Sequence, residues 1–354
     1  MIYNKINGQK ISQIAAGGGV LNPNKDPDLT LEETKGVLKY QVENGVNLID
    51  TGKEYDEEFL GQAFDGLIED VFVASKSEAP DRGSMKSDFE DSLDKLGKET
   101  LFIYQMHMVN SIEDLTMRLE NGVLDVLTEL KRKGKIDNIG IFSHRIDVLE
   151  EAAKTNAFDI VSTLYNTGHR LAEKLFPLLE KYNTKFIAVA PFSNGILVDP
   201  KFDEERHIPQ LNPENALKFL FSSKYVSTVF TGSRTLAEAR ENVDVAKKKW
   251  EINGKERDEI EELVKEKLGN NFCRGCRYCE PCEEWDDLII SEILKLRMYY
   301  EKFGYKDFAK WQYSMMPQSK NKKRCTECGK CLEKCPYNID IMEKLKKAYK
   351  LLSS

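Results

Sequence analysis

Short apolar runs rich in β-branched residues recur along the first 233 residues, and each gives way to a longer segment of mixed polar and apolar positions. The runs are Ile11 to Gly17, Val46 to Thr51, Val71 to Lys76, Leu101 to His107, Ile136 to Ser143, Asp159 to Asn166, Lys185 to Phe192, and Tyr225 to Ser233. Most are almost continuously apolar, the pattern of strands buried on both faces. The segments between them read as helices. Thr30-Leu31-Glu32-Glu33 has the form of a capping box, and Gly45 supplies a stop. Ser111 to Lys133 reads as one long helix, with apolar residues at Leu115, Met117, Leu119, Val123, Val126, Leu127 and Leu130.

Eight strands alternating with helices over roughly 250 residues predict an α/β fold of the (β/α)8 TIM-barrel type. The alternative, an open doubly wound sheet, calls for a Gly-x-Gly-x-x-Gly turn after its first strand. Gly17-Gly18-Gly19 does not have that spacing and reads as a tight turn at a barrel mouth. The pattern changes after Leu268, which predicts a barrel over 1–268 and a small, mostly helical domain over 269–354. In the second part Leu288 to Tyr300 is amphipathic. Tyr299, Tyr300, Phe303, Tyr305, Phe308, Trp311 and Tyr313 form an aromatic stretch. It reads as packing for the small domain against the barrel, with a docking surface for a redox partner as the other reading.

Composition narrows the function. The chain has 354 residues with 41% hydrophobic and 31% charged, as in a globular protein. A net charge of −7 disfavours a nucleic-acid binder. Lys320, Lys322, Lys323 and Arg324 are a local basic exception that reads as a solvated loop. No apolar run reaches the roughly 20 residues of a membrane helix, and Met1-Ile2-Tyr3-Asn4-Lys5 lacks a signal-peptide core. A cytoplasmic protein without membrane partners is expected.

All eight cysteines fall between Cys273 and Cys335. Cys273, Cys276, Cys279 and Cys282 are spaced C-x2-C-x2-C-x2-C. Cys325, Cys328, Cys331 and Cys335 are spaced C-x2-C-x2-C-x3-C with Pro336 next. The second array is the bacterial ferredoxin pattern, in which the cysteine before proline ligates the other of two clusters. Two 4Fe–4S clusters are predicted. One uses Cys273, Cys276, Cys279 and Cys335, and the other uses Cys325, Cys328, Cys331 and Cys282. Structural zinc would favour separated ligand pairs, and disulfides are disfavoured in the cytosol.

Polar residues close the barrel strands repeatedly: Asp50, Lys76, His107, Ser143 with His144, and Asn166. In such barrels the strands' C-terminal ends carry the chemistry. Asn47-Leu48-Ile49-Asp50-Thr51 with Tyr55 and Leu60-Gly61 resembles the aldo/keto reductase signature. So do Val73-Ala74-Ser75-Lys76, Leu101 to His107, Gly140-Ile141-Phe142-Ser143, Tyr165-Asn166, and Thr231-Gly232-Ser233-Arg234 through Glu241-Asn242. Phe272 to Cys279 is similar to the first motif of the branch with a ferredoxin-like tail.

The resemblance implies a catalytic tetrad of Asp50, Tyr55, Lys76 and His107 and an NAD(P)H cofactor. The implied cofactor contacts are Ser143, His144, Ser162, Gly232, Ser233, Arg234, Glu241 and Asn242. It implies a small-molecule carbonyl or alcohol as substrate. Departures from the family pattern are the short connection from Tyr55 to Gly61, His144 in place of Asn, Ser162 in place of Gln, and Val189 in place of an aromatic ring. Glu238 stands where many NADPH-using members carry Arg, whereas Arg234 suits a 2′-phosphate.

Nicotinamide delivers two electrons and a 4Fe–4S cluster accepts one, and no flavin motif bridges them. The clusters are therefore expected to be structural, sensory, or linked to a separate flavoprotein or ferredoxin as partner. An electron-transfer or redox-sensing protein that binds nicotinamide without carbonyl turnover is the alternative function.

Overall fold

The computed structural model describes all residues except 25, 27, 65, 68–70, 199–211, 271, 286–287, 317–324 and 354, with the side chains of 267 and 268 also left aside. The basic group at 320–324 lies outside the described residues. Two compact units divide the chain: 1–194 with 213–257, and 195–212 with 258–354. The division thus falls eleven residues before the expected one at 268, and a segment from the barrel's own span joins the second unit.

The chain opens with a hairpin, β1 (Tyr3–Ile6) and β2 (Gln9–Ser12), paired antiparallel. Eight parallel strands follow: β3 (Ile14–Gly17), β4 (Leu48–Asp50), β5 (Phe72–Ser77), β6 (Leu101–Met106), β7 (Ile136–Phe142), β8 (Ile160–Leu164), β9 (Lys185–Val189) and β10 (Val226–Gly232). They close into a barrel in chain order, with β10 returning to β3. The helices between them are α1 (Leu31–Glu43), α2 (Glu57–Ala63), α3 (Arg82–Leu96), α4 (Ile112–Glu120), α5 (Val123–Arg132), α6 (Ile146–Lys154), α7 (Phe176–Lys181), α8 (Pro213–Phe221) and α9 (Leu236–Ala246). The eight predicted strands are all present. The run from Ile11 to Gly17 is divided, because Ile11 belongs to the hairpin and only Ile14 onward enters the barrel.

Ile6 and Ile11 of the hairpin are fully buried and pack against Leu48, Phe102 and Ile160, near the beginnings of their strands. The hairpin therefore plugs the N-terminal end of the barrel, and each isoleucine contributes about 2 kcal/mol by burial. Helix starts follow local chemistry. The amide of Glu33 donates to Thr30 Oγ1 at 3.2 Å, and the amide of Thr30 donates to the Glu33 carboxylate at 3.1 Å. Asp81, Ser111 and Thr235 cap α3, α4 and α9 by accepting the amides of Ser84, Asp114 and Glu238, without the reciprocal bond. The expected single helix over 111–133 is instead α4 and α5. Gly122 has φ of +76°, a left-handed conformation that ends one helix and re-aims the next.

The second unit carries most of α10 (Gly254–Leu268), then α11 (Ile290–Glu301), α12 (Lys306–Met315), α13 (Lys330–Glu333) and α14 (Ile341–Leu352). Its core joins Ile290, Ile293, Leu294, Ala309, Tyr313, Leu345, Ala348 and Leu352, with cysteines of both arrays against it. The aromatic stretch packs within this unit: Tyr299 meets Phe303 and Phe308 edge-on or tilted, and Phe308 meets Trp311. Among the described residues no helix is long and apolar enough to cross a membrane.

Candidate active site and cysteine cage

The C-terminal rim of the barrel gathers Asp50, Tyr55, Lys76 and His107. Asp50 ends β4, Lys76 lies on β5 one residue from its end, and His107 follows β6. Lys76 Nζ donates to Asp50 Oδ1 at 2.6 Å, and both side chains are buried. The same ammonium stands 4.4 Å from the centre of the Tyr55 ring. Gly52 makes this packing possible, since a Cβ there would lie 2.8 Å from Lys76 Cγ. Tyr55 ends a single 3-10 turn, Lys53–Tyr55, and Asp56 begins α2 by accepting the Phe59 amide. The short connection therefore still delivers the tyrosine to the lysine.

Burial disfavours charge on Lys76, but Asp50 and Tyr55 more than offset it and hold the ammonium above the ordinary lysine range. Burial raises Asp50, with Lys76 pulling the other way. Burial also raises Tyr55, opposed by Lys76. The result is a phenol that keeps its proton at neutral pH beside a cation able to stabilise the phenolate.

Sequence reasoning missed four residues of this rim. Glu57 of α2 is buried and accepts from Ser75 Oγ at 2.5 Å and Ser92 Oγ at 2.7 Å. Arg118 of α4 is buried and donates to the His107 carbonyl at 2.8 Å while pairing with Asp114 at 2.7 Å. It holds the chain where β6 leaves the barrel. Glu54 and Glu78 place carboxylate oxygens 3.6 and 3.5 Å from His107 Nδ1. A capping pattern marks Glu57 only as a helix start, and nothing local marks the other three.

The expected cofactor contacts fall into two groups. Ser143 and His144 directly follow β7, and Ser162 lies on the neighbouring β8. Ser143 Oγ donates to the Val109 carbonyl at 2.6 Å, and Ser162 Oγ donates to Gln105 at 2.6 Å. His144 and His107 each meet the ring of Phe142, with centroids 5.1 Å apart. The other group surrounds the start of α9. Asn242 Nδ2 donates to Ser233 Oγ at 3.0 Å and reaches the Gly232 carbonyl at 3.5 Å. Arg234 pairs with Asp26, and its amide donates to Glu238 at 2.7 Å. Glu241 is exposed, and burial with the Glu238 charge raises it. A helix N-terminus following a barrel strand suits a dinucleotide phosphate, so Ser233 and the α9 start fit the group. Asp26 and Glu238 both place carboxylates against Arg234, the residue expected to meet a 2′-phosphate.

The cysteines form two neighbourhoods. Cys335 is close enough to Cys273, Cys276 and Cys279 to raise each of them. Cys282 acts in the same way on Cys331, together with Cys325 and Cys328. A cavity is lined by Cys279, Cys282, Cys325, Cys328 and Cys331. Both loops wind alike. Gly275 and Arg277 have φ of +72° and +58°, and their counterparts Glu327 and Gly329 have +63° and +83°. This repeated left-handed pair turns successive thiols toward one centre. No disulfide joins the eight cysteines. Burial pushes Cys273 up to about 12 and Cys276 and Cys331 up to about 11. Only a bound cation would hold such thiols as thiolates, so the donor set fits iron–sulfur clusters.

Fold and sites together define a barrel oxidoreductase joined to an iron–sulfur unit. The aldo/keto reductase family model matches residues 14–215, more than half of the chain, and the chain belongs to that family. A 4Fe-4S dicluster domain model matches residues 272–340. The chain is 26% identical to the "uncharacterized oxidoreductase YqkF" of Bacillus subtilis, over 67% of this chain and 87% of the relative. It is 25% identical to the methylglyoxal reductase YeaE of Escherichia coli, over 66% and 86%. Among solved structures, the holo form of aldo-keto reductase AKR11C1 from Bacillus halodurans superposes with a TM-score of 0.63 at 23% identity, covering 74% of this chain and 96% of that one. An aldo/keto reductase from Klebsiella pneumoniae in complex with NADP and acetate gives 0.61 at 19% identity, covering 75% and 96%. These two structures establish the likeness of the barrel alone.

Proposed function

We propose that this oxidoreductase reduces a small-molecule carbonyl with NAD(P)H, or oxidises the corresponding alcohol, using Asp50, Tyr55, Lys76 and His107. The observation that carries the reading is the buried Lys76 ammonium held at 2.6 Å by Asp50 and set over the Tyr55 ring. A bound nicotinamide would supply the hydride that the carbonyl carbon takes up. Tyr55 then gives its phenolic proton to the carbonyl oxygen, and Lys76 stabilises the phenolate left behind. Asp50 holds the lysine charged and in place. His107 orients the oxygen by hydrogen bond. In alcohol oxidation the same proton returns to Tyr55. Ser233, Arg234, Asn242 and the start of α9 would hold the dinucleotide, with Ser143, His144, Ser162, Gly232 and Glu241 nearby on the rim.

The two cysteine neighbourhoods support two 4Fe–4S clusters, held by Cys273, Cys276, Cys279 and Cys335 and by Cys325, Cys328, Cys331 and Cys282. A ferredoxin or flavoprotein is the proposed partner of this unit, because a hydride and a one-electron cluster do not exchange directly. The second reading is electron transfer or redox sensing without carbonyl turnover. It is favoured by the Ser143 hydroxyl, which is spent on Val109 instead of facing a nicotinamide amide.

Tyr55→Phe separates the two readings. It should lower carbonyl reduction by roughly 100- to 10,000-fold while nicotinamide binding persists by fluorescence titration. Turnover near that of the unaltered protein would sink the assignment of Tyr55.

A further inference from the structure

We propose that the barrel mouth holds a divalent cation, bound by His107 Nδ1 and the carboxylates of Glu54 and Glu78. One ligand atom from each of the three lies within 4.8 Å of the others. His107 is 7% exposed, and its Nδ1 is buried with no hydrogen-bond partner. That nitrogen faces the two carboxylates at 3.6 and 3.5 Å. These separations are too long for a hydrogen bond. They come close to the edge of a tetrahedron built on bonds of 2.0–2.1 Å, about 3.4 Å. One imidazole and two carboxylates would neutralise a doubly charged ion, and both Glu54 and Glu78 are exposed enough to close on it. The Lys76 ammonium and the Asp50 carboxylate are the other charges here, since Lys76 acts on Glu54 and His107 acts on Asp50.

The inference deepens the proposed carbonyl reduction and rests on it for its consequence. A cation on Nδ1 fixes the tautomer with hydrogen on Nε2, the form that donates to a carbonyl oxygen. Binding itself is independent of turnover. Carboxylate and imidazole ligands accept Mn2+, whereas thiolates favour softer ions, so Mn2+ is the probe that avoids the cysteine unit. Holoprotein with its clusters assembled anaerobically is titrated with Mn2+, and free Mn2+ is read by EPR.

One site per chain is expected, displaced by Zn2+. Affinity should weaken roughly tenfold or more in Glu78→Gln and vanish in the Glu54→Gln/Glu78→Gln double variant, with cluster absorption unchanged. Equal Mn2+ uptake by the unaltered protein and the double variant would overturn the site, as would no uptake by either. If carbonyl reduction is absent but Mn2+ behaves as stated, the cation site stands and the proposed reaction falls.

Discussion

Ser75 Oγ donates to Glu57 at 2.5 Å and at the same time accepts the backbone amide of Lys76 at 2.7 Å. A buried carboxylate on α2 thus braces the strand residue next to Lys76 of the proposed active site. Burial raises the Glu57 carboxyl, against the pull of Ser75 and Ser92. A raised acid binds its proton more tightly in the folded state. Its contribution is therefore fully present below the unfolded value near 4.5 and is lost as pH rises through the folded value.

Glu57→Gln should remove that dependence. The stability of the natural protein minus that of the variant should fall as pH is raised from about 4, by on the order of 1 kcal/mol. Other titrating groups cancel in the difference. Thermal melts followed by circular dichroism across this range would check it, and a constant difference would show that Glu57 does not titrate abnormally.

If Arg234 meets the cofactor as proposed, the charges around it set the choice between NADH and NADPH. Its guanidinium pairs with Asp26, and Glu238 stands one helical turn away with its carboxylate on the Arg234 amide. A 2′-phosphate must therefore compete with two carboxylates. Glu238→Arg should tighten NADPH relative to NADH by about tenfold, the gain of one good phosphate contact. Dissociation constants from fluorescence titration decide this, and an unchanged ratio would place residue 238 away from the ribose.

Crossed ligation makes a separable claim about the cysteine arrays. Anaerobically prepared protein should carry about eight irons and eight sulfides per chain. Cys335→Ala should disturb the cluster held by Cys273, Cys276 and Cys279, while Cys282→Ala should disturb the one held by Cys325, Cys328 and Cys331. EPR of the reduced variants distinguishes the two. About four irons in the unaltered protein would refute the pair. Damage confined to the mutated residue's own array would refute the crossing alone.

Much of this was legible before any coordinates. Strands buried on both faces are written as unbroken apolar runs, so all eight barrel strands could be read directly, and Lys76 and His107 stood out as polar residues at their ends. The cysteine arrays declare themselves because one cubane must be wrapped by near neighbours in the chain. Within the barrel, two element boundaries escaped. The hairpin strand ending at Ser12 and barrel strand β3 merge into one apolar run, since both bury the same residue types. Helices α4 and α5 share one heptad-like pattern, and only the backbone at Gly122 reveals the break.

Tertiary structure alone decided which distant residues meet. Periodicity records which face of an element is apolar, and it carries no information on what that face finds opposite. Glu57 beneath β5, Arg118 on the His107 carbonyl, Asp26 on Arg234, and Glu54 and Glu78 around one buried nitrogen are all such meetings. Each joins groups from different segments that only the folded chain brings within reach.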